Sequence, residues 1–513
     1  MTTTGEPPGV GARAASGVIW TAAQKWILRV TGFATIALLT RLLSPADFGT
    51  VALAMAVLPL VYVLADMGFA TYVVQAEEAD RTVLDTAFWY TTGMGIALGA
   101  VLAGAAQILA VLLRAPEIAA LVVGLVPIII LVTVTTVPTA LLRRRMAFRL
   151  LALQAVVAGL VSQAAAIIVA LSGGGAWALI VQLFAYQAVA SAFAWGAARW
   201  RPGRRFSRTE FRTMVAFGSN ILGVELVALA RLWAENLIVA ATLGTTGLGY
   251  LNVAQRLVAV AQDVTAAAIL PVSTVVFAQI RSSSLRLRAA YLRALGVMYV
   301  AVIPVMVLIA VAAPLLLRIL FGDQWGASVG PAQALAVAGI MTLGAMLDHG
   351  LFYGTGRPGR WLLYAVAIDA LTVLVTLVLA PSGLNAVALG FVAVALVATS
   401  VRWSMVARLV DTRWWTVALP FARGAVAAAG SAAAGLLVLR LTAGWPALAA
   451  VTCVGIAVLV AHVALALLVM RRDLRDLVVT VLSRLAPRRR RSSARGSSLR
   501  RAPADLTEGR VES

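Results

Sequence analysis

Long apolar runs separated by short polar turns fill this chain from residue 17 to residue 470. Fourteen can be read, near 17–40, 48–75, 84–112, 118–142, 149–171, 175–198, 213–241, 248–275, 293–317, 330–354, 360–380, 384–408, 415–440 and 446–470. A helix needs about 20 mostly apolar residues to cross a bilayer, and these runs meet that length. The pattern predicts an all-α polytopic membrane protein with about 14 transmembrane helices. Beyond residue 470 the pattern changes. Leu474, Leu477, Val478, Val481, Leu482 and Leu485 fall on one helical stripe, with Arg471, Arg472, Arg475 and Arg484 around it. Residues 471–486 therefore predict an amphipathic helix lying on the membrane surface. Residues 487–513 read as a basic, disordered tail. Its run Arg488–Arg491 suits anionic lipids of the inner leaflet, at about 1 kcal/mol per charge.

Composition agrees with the pattern. The 513 residues are 61% hydrophobic and 12% charged, where soluble domains carry about one quarter charged residues. The net charge of +21 invites a nucleic-acid reading, but the placement of the arginines argues for topology. Arg143, Arg144, Arg145 and Arg149 share one loop; Arg199, Arg201, Arg204, Arg205, Arg208 and Arg212 share the next; Arg281, Arg286, Arg288 and Arg293 share a third. The alternate loops hold at most one each, at Arg41, Arg114, Arg318 and Arg440. This asymmetry puts the basic loops and both termini in the cytoplasm, and no nucleic-acid role follows. The loop at 76–83, with Glu77, Glu78 and Asp80 against Arg81, dissents without weight, because acidic residues count little in that rule. The first run is long, internally charged and without a cleavage site, unlike a signal peptide. The single cysteine, Cys453, forms no intrachain disulfide.

The chain also repeats itself. Residues 41–54 align with 241–254 without gaps, matching Leu43 with Leu243, Gly49 with Gly249 and Ala54 with Ala254; Pro127 matches Pro331 at nearly the same offset. The repeat predicts a short cytoplasmic tail at 1–14, a six-helix lobe at 15–198, a basic linker at 199–212 and a second six-helix lobe at 213–410. Two further helices follow at 411–470. Parallel six-helix repeats in transporters place cargo between the halves and alternate access by rocking them. Prolines 59, 127, 138, 271, 304, 314 and 331 lie within or at the ends of runs, where they permit kinks.

Four short motifs carry a resemblance. Thr40–Gly49 (TRLLSPADFG) is similar to the turn after the first helix of polysaccharide exporters. Asp66-Met67-Gly68 resembles their D-x-G signature, Leu320–Trp325 (LFGDQW) the loop before their tenth helix, and Gly356-Arg357-Pro358 the turn after it. In order along residues 15–410, these resemble the Wzx-type flippases of the multidrug/oligosaccharidyl-lipid/polysaccharide superfamily. The resemblance implies movement of undecaprenyl-diphosphate-linked oligosaccharide from the inner to the outer leaflet of a bacterial cytoplasmic membrane. A polysaccharide polymerase or other export machinery would be its working partner. The sugar does not follow.

The intramembrane charges are the candidate site. A cation near mid-membrane costs about 2.5–3.5 kcal/mol by insertion scales, so it needs a partner or a wet cavity. Lys25, the only lysine against 41 arginines, and Arg29 stand four apart and share a helix face. They suit a diphosphate, or an ion pair with a neighbouring helix. Arg256 and Arg231 could join them as cargo contacts, although Arg256 could pair with Asp263 and Arg231 with Glu235. Glu225 aligns with Lys25 across the repeat, so a pair that forms in one state and opens in the other would gate transport. Asp263 and Asp66 are further coupling candidates; Asp66 could equally be a packing group. Asp348-His349 and Asp369 could relay protons or pack by hydrogen bonding, and His462 reads as core.

Catalytic signatures are missing. No Gly-Lys-Ser/Thr phosphate loop occurs, and two histidines and one cysteine far apart make no metal site, so no cofactor is expected. The short outer loops, Ser172–Ala176 and Pro381–Leu384, contain no acid and do not suit a glycosyltransferase or polymerase. A multidrug or cation antiporter of the same superfamily would favour a mainly acidic cavity, and the loop motifs lean away from a peptidoglycan-precursor flippase.

Overall fold

The computed structural model describes residues 10–76, 80–112, 115–280 and 283–476. Side chains are described for these except 10–23, 75, 112, 219–225, 227–228, 260–261, 263–276, 278–279 and 358. Apart from two short 3₁₀ turns, the described elements are sixteen α-helices. The first group runs α1 (Val10–Leu42), α2 (Pro45–Met55), α3 (Val57–Asp66), α4 (Phe69–Gln75), α5 (Arg81–Leu112), α6 (Glu117–Arg144), α7 (Phe148–Leu171) and α8 (Trp177–Ala198). The second begins with α9 (Arg208–Ile280) and continues through α10 (Ser284–Leu320), α11 (Val329–Thr342), α12 (Gly344–Gly354), α13 (Pro358–Leu379) and α14 (Leu384–Leu409). The last two are α15 (Trp414–Leu441) and α16 (Ala447–Val469).

Twelve segments among the described residues are long and apolar enough to cross a membrane. The protein is an all-α, multi-pass membrane protein. The difference from the expected fourteen has two sources. The 17–40 run lies in α1, which carries Lys25, Arg29 and Arg41 and begins in residues whose side chains are not described. The 213–241 and 248–275 runs lie in the single 73-residue α9, where one qualifying segment, Leu229–Ala259, straddles the break at Gly244. Gly244 sits at φ 74° and ψ 175°, a backbone open to glycine and strained for any other residue. It divides α9 into two limbs.

In the first group α5 lies on α6, α7 on α8, and α1 on α7; in the second, α11 packs on α14 and α10, and α12 and α13 on α9. The last two helices pair with each other and lean on α10. Residues 471–476 continue as helix beside them: Leu474 packs on the core and Arg293 pairs with Asp476 at 3.0 Å. The rest of the expected amphipathic helix and the tail lie outside the described residues. Arginines of the basic loops double as caps. Arg144 donates to the carbonyls of Val73 and Ala76 at the end of α4, and Arg145 to that of Ala198 at 2.8 Å, satisfying acceptors that a helix C-terminus leaves open.

The first turns of α9 belong by packing to the N-terminal half. Phe211, Met214 and Val215 join a cluster with Phe69, Val73 and Phe88. The preceding segment is pinned to α5: Gly203 N–H donates to Asp85 at 2.8 Å, Trp89 to the Gly203 carbonyl at 2.7 Å, and Ser207 N–H to Thr86 at 3.0 Å.

Candidate functional site: the face between the two halves

The motif residues build one end of the contact between the halves. Ser44 caps α2: its hydroxyl accepts from the Asp47 N–H at 3.2 Å, while the Asp47 carboxylate accepts from the Ser44 N–H at 2.9 Å. With Pro45 in the first turn, this reciprocal capping box fixes where α2 starts. Four residues into α2, Gly49 meets the second limb of α9. A Cβ on Gly49 would stand 1.6 Å from the carbonyl oxygen of Thr245, and one on Gly249 would stand 1.9 Å from that of Pro45. The two repeat-matched glycines lie against each other, each with its Cβ position about 3 Å from the other's nitrogen. Backbone touches backbone here, and only glycine fits.

The LFGDQW loop closes the same end. Trp325 is fully buried, edge-on to Phe48 of α2 at 5.3 Å and to Tyr250 of α9 at 6.0 Å. Its Nε1–H donates to the Thr40 carbonyl at 2.9 Å, and Gln324 donates to the carbonyls of Thr40 and Leu43. Arg41 returns the favour by donating to the Ile319 carbonyl of α10. Each half thus satisfies the open carbonyls at the end of a helix in the other half.

Helix periodicity then shows where the charges point. At 100° per residue, positions 25, 29, 33, 36 and 40 of α1 fall within an arc of about 80°. Phe33 on that arc packs against Phe321 of the C-terminal half at 6.4 Å, and Thr40 accepts from Trp325. Lys25 and Arg29 therefore continue the stripe that faces the other half. Lys25 is exposed, and Arg29 is partly buried over the Trp26 ring at 5.8 Å. Trp26, Ile27 and Val30 are exposed on a different side. Across the repeat, Trp233 stands where Phe33 does and donates to the Ala56 carbonyl of the N-terminal half. Glu225 lies two turns earlier on that limb, with its side chain outside those described. The Asp263 side chain likewise lies outside those described.

Arg256 lies seven residues beyond Gly249, on the same face of α9 and about 10 Å along it. It is exposed and donates to Asn252 at 3.2 Å. Three of the four cations expected to contact cargo thus sit on faces turned toward the opposite half. Arg231 turns away. Its guanidinium bridges Glu235 at 2.9 Å and Asp369 of α13 at 3.0 Å, and Gln255 donates to Glu235 at 3.0 Å. A cation held by two carboxylates has little left to offer a phosphate, so Arg231 is assigned to packing of the C-terminal half.

Asp66 ends α3. Its carboxylate accepts from the Ala70 N–H at 3.0 Å across the break at Met67 and Gly68, both left-handed. It also lines a cavity of about 660 Å³ inside the N-terminal half, with Gln24, Tyr62, Gln154, Gln187 and Arg143. Asp348 proves to be a packing group: fully buried, it pairs with Arg402 of α14 at 2.6 Å and accepts from Tyr291. Arg402 also donates to the Met341 carbonyl at 2.9 Å and to Thr399 at 3.0 Å. The sequence reading passed over Arg402, although a lone arginine inside an apolar run is itself a signal that an acid waits on another helix. His349 stacks on Tyr353, and His462 is buried with its ring against the Val300 carbonyl.

Residues 38–330, more than half of the chain, match the polysaccharide biosynthesis protein family. The chain belongs to this family. Its relatives include the succinoglycan biosynthesis transport protein ExoT of Rhizobium meliloti (strain 1021), 28% identical over 312 residues, which are 61% of this chain and 62% of ExoT. The lipopolysaccharide biosynthesis protein WzxC of Escherichia coli (strain K12) is 22% identical over 328 residues, 64% of this chain and 67% of WzxC. The match thus spans somewhat under two thirds of ExoT. Among solved structures, lipid II flippase MurJ in an inward closed conformation superposes with a TM-score of 0.71 at 14% identity, covering 89% of this chain and 99% of MurJ. At that identity the likeness is one of fold. Three of the four motifs fall within residues 38–330, and the fourth, Gly356-Arg357-Pro358, lies beyond them.

Proposed function

We propose that this family member is a flippase that carries undecaprenyl-diphosphate-linked oligosaccharide across the bacterial cytoplasmic membrane, with no catalytic step. The single observation that carries the reading is the placement of Lys25, Arg29 and Arg256 on inter-half faces, beside a contact sealed at one end. The family match and the names of ExoT and WzxC support the polysaccharide part of it. With both termini cytoplasmic, the sealed end is the outer one, so cargo enters from the inner leaflet. A diphosphate losing its hydration would be stabilised by cations on a face that both halves share, whereas Arg231 is held by Glu235 and Asp369 within one half. Rocking of the halves would break the Trp325 and Arg41 bonds and open the outer end. A Lys25–Glu225 pair, and Asp263 and Asp66, are the candidate coupling elements. Anionic lipids at the C-terminal tail and a polysaccharide polymerase are the expected partners.

The test is translocation of fluorescent undecaprenyl-diphosphate-oligosaccharide in proteoliposomes. Lys25→Ala/Arg29→Ala, in stably folded protein, is expected to lower flipping by tenfold or more, about 1.4 kcal/mol in the barrier. Full activity in that variant would remove the cationic site. A folded wild type that flips none of several saccharides would remove the function.

A further inference from the structure

On the outer flank of the C-terminal half, α13 and α14 enclose a groove of about 720 Å³ that transport between the halves does not use. The qualifying segment of α13 is only 11% buried, so this flank is turned to the surrounding membrane. Arg360, in the first turn of α13, and Arg408, in the last turn of α14, line the groove at one end, and both are exposed. From there its walls are apolar, with Leu363 and Leu371 on one side and Val401 and Val397 on the other. Among the described residues no acid lines it.

Its length is informative. Arg360 to Leu371 and Arg408 to Val397 are each eleven residues, or about 16 Å at the helical rise. One leaflet of a hydrocarbon core is about 15 Å deep. The groove therefore reaches from headgroup level to the bilayer midplane and stops there. By the arginine distribution its charged end lies in the inner leaflet.

We infer that this groove is a binding site for one anionic phospholipid of the inner leaflet, its phosphate between Arg360 and Arg408 and an acyl chain along Leu363–Leu371. The arginines supply charge complementarity, and guanidinium forks suit phosphate oxygens. The leaflet-deep slot fits an acyl chain, whereas a polyprenyl chain far longer than a leaflet would overrun it. The site is distinct from the C-terminal basic tail and from the inter-half face.

The experiment is native mass spectrometry of the full chain in detergent, titrated with dioleoyl phosphatidylglycerol or dioleoyl phosphatidylcholine. Wild type should retain one phosphatidylglycerol about thirtyfold more tightly than phosphatidylcholine, the worth of two interfacial cations at about 1 kcal/mol each. Arg360→Gln/Arg408→Gln should lose that preference, and Arg357→Gln, outside the lining, should keep it. Val401→Trp fills the slot while leaving both charges and should also lose the bound lipid, which keeps the test intact if the double variant does not fold. Retention by the double variant, or by Val401→Trp, would overturn the proposal. So would displacement of phosphatidylglycerol by equimolar undecaprenyl phosphate, which would hand the groove to the carrier lipid.

Discussion

Replacing Trp325 by alanine should open the sealed end. A buried tryptophan removes about 150–250 Å² from water, worth about 4–6 kcal/mol at 25 cal/mol per Å². Tyr250 belongs to the same half as Trp325 and would move with it, so only the share against Phe48 and α1 is lost on opening, about 2–3 kcal/mol. The bond to the Thr40 carbonyl adds about 1 kcal/mol. Trp325→Ala should therefore shift the sealed-to-open ratio by about two to three powers of ten. Trp325→Phe keeps most of the ring contact and loses the N–H, for a shift of about fivefold. Both are readable by electron–electron resonance between spin labels on Ser172→Cys and Ser382→Cys, in protein freed of its only cysteine by Cys453→Ala. Ser172 lies in the loop against the α1–α2 turn, because Gly175 approaches Asp47. Ser382 ends the 3₁₀ turn before Asn385, which touches Gly330 just after the Trp325 loop. Both labels are exposed at the sealed end, one on each half. A distance distribution for folded Trp325→Ala that matches wild type in liposomes would refute the latch.

Gly49→Ala and Gly249→Ala should each lower the thermal midpoint in detergent, because each new methyl meets backbone that cannot rotate away. Together they should cost less than their sum, since both disrupt one crossing; strict additivity would mean that the crossing is not shared. Arg402→Met leaves Asp348 buried and unpaired, at a cost of about 3–5 kcal/mol, whereas Arg402→Met/Asp348→Leu should recover most of that loss. A double variant as unstable as the single one would show that the pair does more than neutralise itself.

The sequence made the helices legible because burial in lipid demands long apolar runs and leaves few alternatives. It also marked the segments that build the seal, as a repeat and as motifs, without showing that they meet. The repeat that matched Gly49 with Gly249 is a statement about symmetry, and symmetry brings equivalent positions together at the axis. That the two would touch required a turn starting at Ser44 and a break at Gly244, whose geometry no alignment supplies. The partners of the charges were harder, for a physical reason. Arg231 with Glu235 is a local pair and can be seen from spacing; Arg231 with Asp369, and Arg402 with Asp348, join helices far apart in the chain. An apolar run tells how much of a helix is buried, but only the packing tells which neighbour its one polar residue meets. The same distinction sorts the four cations. Arg231, only half-buried, is neutralised by Glu235 and Asp369 of its own half, so it ties that half together. In the proposed mechanism Lys25, Arg29 and Arg256 would lie on surfaces that two moving halves share, where a charge can change partners as the halves rock.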